Sequence, residues 1–158
     1  MKPHPASGVG WVTPHAPHPN HRTQPMTPET AQTILDENFA PWVMALAPTV
    51  TEIGTDRTIL EIPISDALKR TGGIVSGQAL GALADTAMVM ACMGHLDAMA
   101  PVSTVTLDTQ FLRPATGETI RAEAEVTRAG RSMIFTRCTL IAEPSGKPVA
   151  LATATFAR

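Results

Sequence analysis

From Val75 to Met93 the chain reads Val-Ser-Gly-Gln-Ala-Leu-Gly-Ala-Leu-Ala-Asp-Thr-Ala-Met-Val-Met-Ala-Cys-Met, and Asp85 is its single charge. Leu80, Leu83, Ala84, Ala87, Met88 and Ala91 recur at the spacing of one helical face. The other faces are also mostly small or apolar, so this helix is expected to be buried nearly all round. Around it, the rest of the chain must supply a cover. A carboxylate in such a setting costs several kcal/mol to desolvate without a partner, and Asp is a mediocre helix former. Asp85 therefore requires a reason.

The flanking sequence supplies a sheet. Thr27-Pro28-Glu29 opens a first helix, with Thr as cap and Pro at the first helical position, running to Asn38 or Phe39. Trp42 to Leu46 is read as a strand-like apolar piece. Thr49–Ile53 and Thr58–Ile64 flank the turn signal Gly54-Thr55-Asp56 and form a hairpin. The long helix spans Val75 or Ser76 to Gly94, with Gly94 as its stop. Four strands follow: Ser103–Leu112, with a phase change near Thr109-Gln110; Thr119–Thr127, with Ile120, Ala122, Ala124 and Val126 inward; Ser132–Ala142; and Pro148–Phe156. Strands grouped in succession rather than alternating with helices point to an α+β domain with an antiparallel sheet. A helix of about five turns is long enough to cover one face of it.

Residues 1–25 are rich in Pro, His and Gly and hold His4, His15, His18 and His21. Without regular ligand spacing they read as a disordered tail, not a metal site, which leaves 26–158 as a single domain. With 44% hydrophobic residues, a formal net charge of -2 and a mean hydropathy of +0.07, a packed globule is expected and nucleic acid is not its main partner. Cys92 and Cys138 lie in apolar segments without a CxxC partner and read as buried reduced thiols. Asp85 interrupts the one stretch resembling a membrane span, and no signal-peptide core is visible. A soluble cytoplasmic protein, with no membrane partner, is the expectation.

On a helical wheel Asp85 lies about 140° from Leu80, off the core stripe. Gln78, two turns earlier, shares its face, and Gly81, one turn earlier, leaves room beside the carboxylate. Ser76-Gly77-Gln78 open the helix with backbone N–H groups that lack intrahelical acceptors. A carbonyl-polarising helix start and an acid on the same helix suit acyl transfer. The residues alone leave open a second reading, in which Asp85 pairs with an arginine or backbone groups, or borders a subunit contact.

Ser76-Gly-Gln-Ala-Leu-Gly-Ala-Leu-Ala-Asp-Thr-Ala87 and Thr104-Val-Thr-Leu-Asp-Thr-Gln-Phe-Leu-Arg-Pro-Ala115, with Gly130-Arg131 and Val149-Ala-Leu-Ala-Thr-Ala-Thr-Phe156, resemble the hotdog-fold acyl-CoA thioesterases, and among them the phenylacetate-pathway group. The likeness covers residues 40 to 157. It implies a hotdog fold, an antiparallel sheet wrapped around one long central helix. It also implies a homo-oligomer, with a dimer as minimal unit and a dimer of dimers beyond it, whose sites form at the subunit interface. The implied activity is hydrolysis of an acyl-CoA to free acid and coenzyme A, with no cofactor and no metal. Residue by residue, the Gly77 N–H would polarise the thioester carbonyl and Asp85 would act as nucleophile or as general base on water. Thr104, contributed from the other subunit, would place the water. Ser76 stands where this family has His, Gln78 where it has a second Gly, and Arg70 where it has Asn or Gln. Gln78 is a candidate replacement for the lost amide. Arg113, Arg128, Arg131 and Ser132 are candidates for the coenzyme A phosphates.

Two other readings follow from the same residues. The altered Ser76, Gln78 and Arg70 suit a non-hydrolytic acyl-CoA-binding hotdog. A hotdog hydratase or dehydratase would pair the acid with a histidine, and His95 lies nearly three turns beyond Asp85 on the same helix.

Overall fold

In the computed structural model, residues 25–158 are described. The expectation of a disordered tail falls on residues outside these, apart from Pro25. Helix α1 (Pro28–Asn38) starts as its sequence predicts: Thr27 caps it, accepting from the Thr30 N–H at 3.3 Å, and Pro28 occupies the first turn. Ala31 and Leu35 are its buried face. Trp42 to Leu46 is not a strand. Pro41 opens a single helical turn, α2 (Pro41–Met44), whose Val43 turns inward while Trp42 stays exposed. Pro fits the first helical position, where its missing N–H removes no hydrogen bond.

Strands β1 (Thr49–Ile53) and β2 (Thr58–Pro63) form the expected hairpin. A 3-10 turn, Asp66–Leu68, leads into the two-residue strands β3 (Lys69–Arg70) and β4 (Ile74–Val75). Gly72 and Gly73, at φ 96° and 73°, turn the chain between them, and left-handed backbone here suits residues without a Cβ. Helix α3 (Gly77–Leu96) follows, then β5 (Ser103–Phe111), β6 (Thr119–Ala129), β7 (Met133–Glu143) and β8 (Lys147–Ala157).

All main strands join one antiparallel sheet of six, in the order β1-β2-β6-β7-β8-β5. It wraps α3, so the architecture is α+β with the hotdog arrangement. Every member of the predicted helical stripe, from Leu80 to Ala91, is buried. Opposite it stand Ile120, Ala122, Ala124, Ile134, Leu140 and Phe156, each fully buried. By length and hydropathy α3 would suffice to cross a membrane, but here the sheet covers it. Its contacts are richest with β6 and β7 and sparse with β5. The inner face of β5 is therefore only partly covered.

Two boundaries differ from expectation. Gly94 does not end α3. The helix runs on to Leu96 and stops at Asp97, which takes the left-handed conformation at φ 49°. Gly94 is buried because β1 crosses closely there: a Cβ on it would lie 2.7 Å from the Gly54 carbonyl oxygen and 2.8 Å from Ile53 Cγ1. The phase change in β5 lies at Val105, where the register against β8 shifts between Thr104 and Thr106, and not near Thr109-Gln110.

The close approach at Gly94 sets a stability test. Gly94→Ala improves helix propensity but drives a methyl into backbone that has little room to move, and overpacking of this kind costs about 1–3 kcal/mol. Urea unfolding of the variant should show a lower midpoint with an unchanged slope.

Candidate active site

Asp85 sits midway along α3 and is half-buried, with Oδ1 accepting a 3.1 Å hydrogen bond from the Thr104 hydroxyl. No arginine and no backbone N–H engages it among the described residues. Thr104 reaches it because of the irregularity at Val105. Thr104 stands opposite Phe156, and Leu107 stands opposite Ala154; both partners face α3. Strict alternation would put residues three apart on opposite faces. The extra residue at Val105 places both Thr104 and Leu107 on the helix side, as bulges do where a side chain must be re-aimed. The sequence resemblance assigned Thr104 to the other subunit. Within the chain, the structure brings Thr104 to Asp85.

Burial disfavours the charged form, so the Asp85 carboxyl is pushed above its ordinary range, while the Thr104 hydroxyl acts in the opposite direction. Gly81 leaves open space beside it, with no heavy atom within 4 Å of where a Cβ would stand. The cysteines are unlike Asp85: Cys92 and Cys138 are buried free thiols pushed up to about 12 by desolvation, which makes them inert as nucleophiles.

The start of α3 is a separate locus. Ser76 caps the helix, its hydroxyl accepting from the Ala79 N–H at 3.3 Å, so its side chain already has a structural task. Among the described residues the Gly77 N–H has no acceptor. The ring of Phe111 packs over Gly77, its Cζ 3.1 Å from the position a Cβ would take. Gly77, Arg70, Phe111 and Arg113 line one cavity of about 350 Å³ together with Ile74, Val75, Leu80, Leu112, Pro114 and Ala115.

Gly77 and Asp85 are eight residues apart on one continuous helix, which separates them by about 12 Å along its axis. Reacting groups must approach to about 3–3.5 Å. One helix therefore does not aim both groups at one carbonyl, contrary to the simplest reading of the sequence. Gln78 is exposed, makes no side-chain hydrogen bond among the described residues, and lies about 10 Å along the axis from Asp85. The structure does not bring these two together.

The remaining candidates divide between opposite ends of the sheet. Arg128, Arg131 and Ser132 are exposed at the β6–β7 turn, which Gly130 closes by donating its N–H to the Met133 carbonyl at 2.7 Å. That end adjoins Ser103, since Met133 and Ser103 both stand opposite Ala157. Arg113 follows the other end of β5 and donates to the Pro148 carbonyl. His95, with Nδ1 3.3 Å from the Thr55 carbonyl oxygen, is ten residues beyond Asp85 on the helix and forms no dyad with it.

Because burial favours the protonated acid, the stability linked to the proton on Asp85 is present at low pH and is lost as pH rises through its raised folded value. At neutral pH the ionised side chain thus costs stability. Asp85→Asn should raise the melting temperature at pH 7. Carbon-13 NMR of the carboxyl should find Asp85 titrating above the ordinary aspartate range, and Thr104→Val should move it higher still.

Comparison with known proteins agrees with this architecture. Residues 72–149, from the turn before α3 into β8, match the model of the thioesterase superfamily. A phenylacetic acid degradation-related protein from Ralstonia eutropha JMP134 is 29% identical with a TM-score of 0.70, over 81% of this chain and 98% of that one. Thioesterase superfamily member 2 of zebrafish superposes with a TM-score of 0.74 at 23% identity, over 84% of this chain and 98% of that one. A thioesterase from Haemophilus influenzae gives 0.75 at 19% identity, covering 85% and 92%. No curated protein sequence matches the chain. With its helix and its sheet order in agreement, the chain carries the hotdog fold, and its residues 72–149 are similar to the thioesterase superfamily.

Proposed function

We propose that the protein is a hydrolase that cleaves an acyl-CoA thioester to a free acid and coenzyme A, at a site completed by a second copy of the chain. The observation that carries this reading is the half-buried Asp85 carboxylate held by Thr104 beside open space.

The second copy answers the separation along α3. β5 is an edge strand, and every residue in it but Thr109 is exposed, including Val105, Leu107 and Phe111. It carries neither proline nor lysine, the usual protection of a free edge. Antiparallel pairing of two β5 strands about a two-fold axis would set the Thr104 end of one copy against the Phe111 end of the other. Asp85 and Thr104 of one chain then face Gly77 of the second. Arg128, Arg131 and Ser132 fall beside the chain that supplies Asp85, where they would meet the coenzyme phosphates.

In the proposed step, water attacks the thioester carbonyl carbon and gives a proton to Asp85. The carbonyl electrons move onto oxygen, which the Gly77 N–H of the second copy stabilises. Collapse breaks the C–S bond, and the departing thiolate takes the proton back from Asp85. Direct attack by Asp85 would instead expel the thiolate and form a mixed anhydride, and water opening it at the aspartyl carbonyl leaves solvent oxygen in the protein. Label found in Asp85 by mass spectrometry after turnover in oxygen-18 water therefore identifies direct attack.

A thiol-release assay over short, medium and aromatic acyl-CoAs should find turnover with at least one class. Asp85→Ala should lower kcat by about 10²–10⁴-fold while circular dichroism stays unchanged. Binding by calorimetry with no thiol release from any of them would favour the non-hydrolytic reading instead.

The composite site has its own test. Gly77→Pro deletes the N–H at a first helical position, where the backbone suits proline, the extended Ser76 that precedes it allows a following proline, and the exposed Phe111 ring must shift to admit it. Refolding this variant with Asp85→Ala should restore about a quarter of wild-type activity, since half of a two-fold assembly is then mixed and each mixed pair keeps one intact site. A site contained in one chain predicts no restoration.

A further inference from the structure

The cavity at the start of α3 holds an excess of positive charge that the hydrolytic chemistry does not use. Arg70 and Arg113 both line it, and no acidic side chain does. Among the described residues neither arginine is in an ion pair, whereas Arg57, Lys69, Arg121 and Arg137 all are. The contrast with the hollow of about 400 Å³ on the outer face of the sheet is direct. There Arg57 and Arg137 line the wall together with Glu123 and Glu125, and the arginines are engaged by Glu52 and Glu125. Among the described residues the two guanidinium groups in the cavity by α3 bond only to the Thr71 and Pro148 carbonyls, which leaves donors on each. The first turn of α3 adds the positive end of its dipole and contains no acid. The rest of the lining is apolar: Ile74, Val75, Leu80, Phe111 and Leu112. Such a wall takes methylene groups, and its charges take an anion at their end.

We infer that this cavity selects acyl groups bearing a second carboxylate, short dicarboxylic acids joined to the thiol through one end, with Arg70 and Arg113 as specificity-determining residues. The inference rests on the thioester-binding reading of the site above. Gly77, which would hold the thioester carbonyl, lines the same cavity as both arginines, so the anion they meet lies within a few bonds of that carbonyl. The coenzyme phosphates are separated from the sulfur by the whole pantetheine arm and do not reach it. Paired guanidinium donors on a carboxylate form charge-assisted hydrogen bonds, which are about twice as strong as neutral ones.

Calorimetric binding of two thioethers tests this without needing turnover. S-(3-carboxypropyl)-coenzyme A and S-butyl-coenzyme A have matched chain lengths and differ in the terminal carboxylate. Wild type should bind the first more tightly by about tenfold or more. The double variant Arg70→Gln, Arg113→Gln should bring the ratio close to one, Arg57→Gln should leave it as in wild type, and the corresponding pantetheine thioethers, which lack the nucleotide, should preserve it. Equal affinities in wild type, or a ratio untouched by the double variant, overturn the inference. So does a double variant that weakens both coenzyme A thioethers equally and neither pantetheine thioether, since the arginines then read phosphate. A preserved ratio in a protein that cleaves no thioester would defeat the hydrolytic reading and leave this one standing.

Discussion

The seating of α3 inside the sheet is the contact on which the other features depend. The helix is long, apolar and almost enclosed, and its buried stripe meets the small side chains Ala122 and Ala124 of β6 and the larger Ile134 and Leu140 of β7. Small residues on the wall let the helix lie close; Gly94 does the same from the helix side, where β1 crosses it. Burial on this scale fixes the rotation of the helix about its axis, because any turn would exchange core residues for Asp85. The half-buried position of the carboxylate is thus set by the packing of the other faces, and its raised pKa follows from that position.

The same packing leaves β5 exposed. A single helix of about 10 Å diameter does not cover a sheet of six strands, and β5, at one edge, receives little. Its inner face carries Leu107 and Phe111, with relative exposures of 42% and 56%. Those values would be costly for a protein acting alone, and they mark where the proposed second copy would lie. The register shift at Val105 is local to this strand and turns its first residues toward Asp85. Covering the edge and building the site are therefore one structural problem.

Much of this was legible in the sequence. The period of 3.6 in Leu80 to Ala91 and the alternation in Thr119–Thr127 carry the two main layers, and both emerge with the predicted faces buried, except that Val126 is only partly so. Asp85 stood out because it breaks the first of these patterns. What failed was punctuation. Gly94 reads as a stop because glycine ends helices when nothing else is known, but its reason here is a backbone crossing from a strand forty residues away. Trp42 to Leu46 is apolar without a usable period, and Pro41 decided its state. The bulge at Val105 has no local signal at all. It is visible only as a register between β5 and β8, and with it the fact that Thr104 and Asp85 meet within one chain. The cavity shared by Arg70 and Arg113 is likewise a product of tertiary structure, since forty-three residues separate them.

The spacing of charge along α3 has a consequence for how such a site works. Among the causes that set the Asp85 pKa, burial raises it and Thr104 lowers it, and no guanidinium contributes. An arginine beside the carboxylate would hold it ionised, but as an ion pair that blunts its basicity and ties up the cation. Eight residues of helix keep the positive cavity and the acid apart, so each retains its own field. In the proposed assembly the two are brought to opposite sides of one site across the two-fold axis, with room for substrate between them. An anionic acyl group is then drawn to the arginines while its thioester carbon is presented to a carboxylate that remains basic. That division of labour uses two copies of one helix, with Thr104 beside the acid and Arg70 and Arg113 beside the helix start.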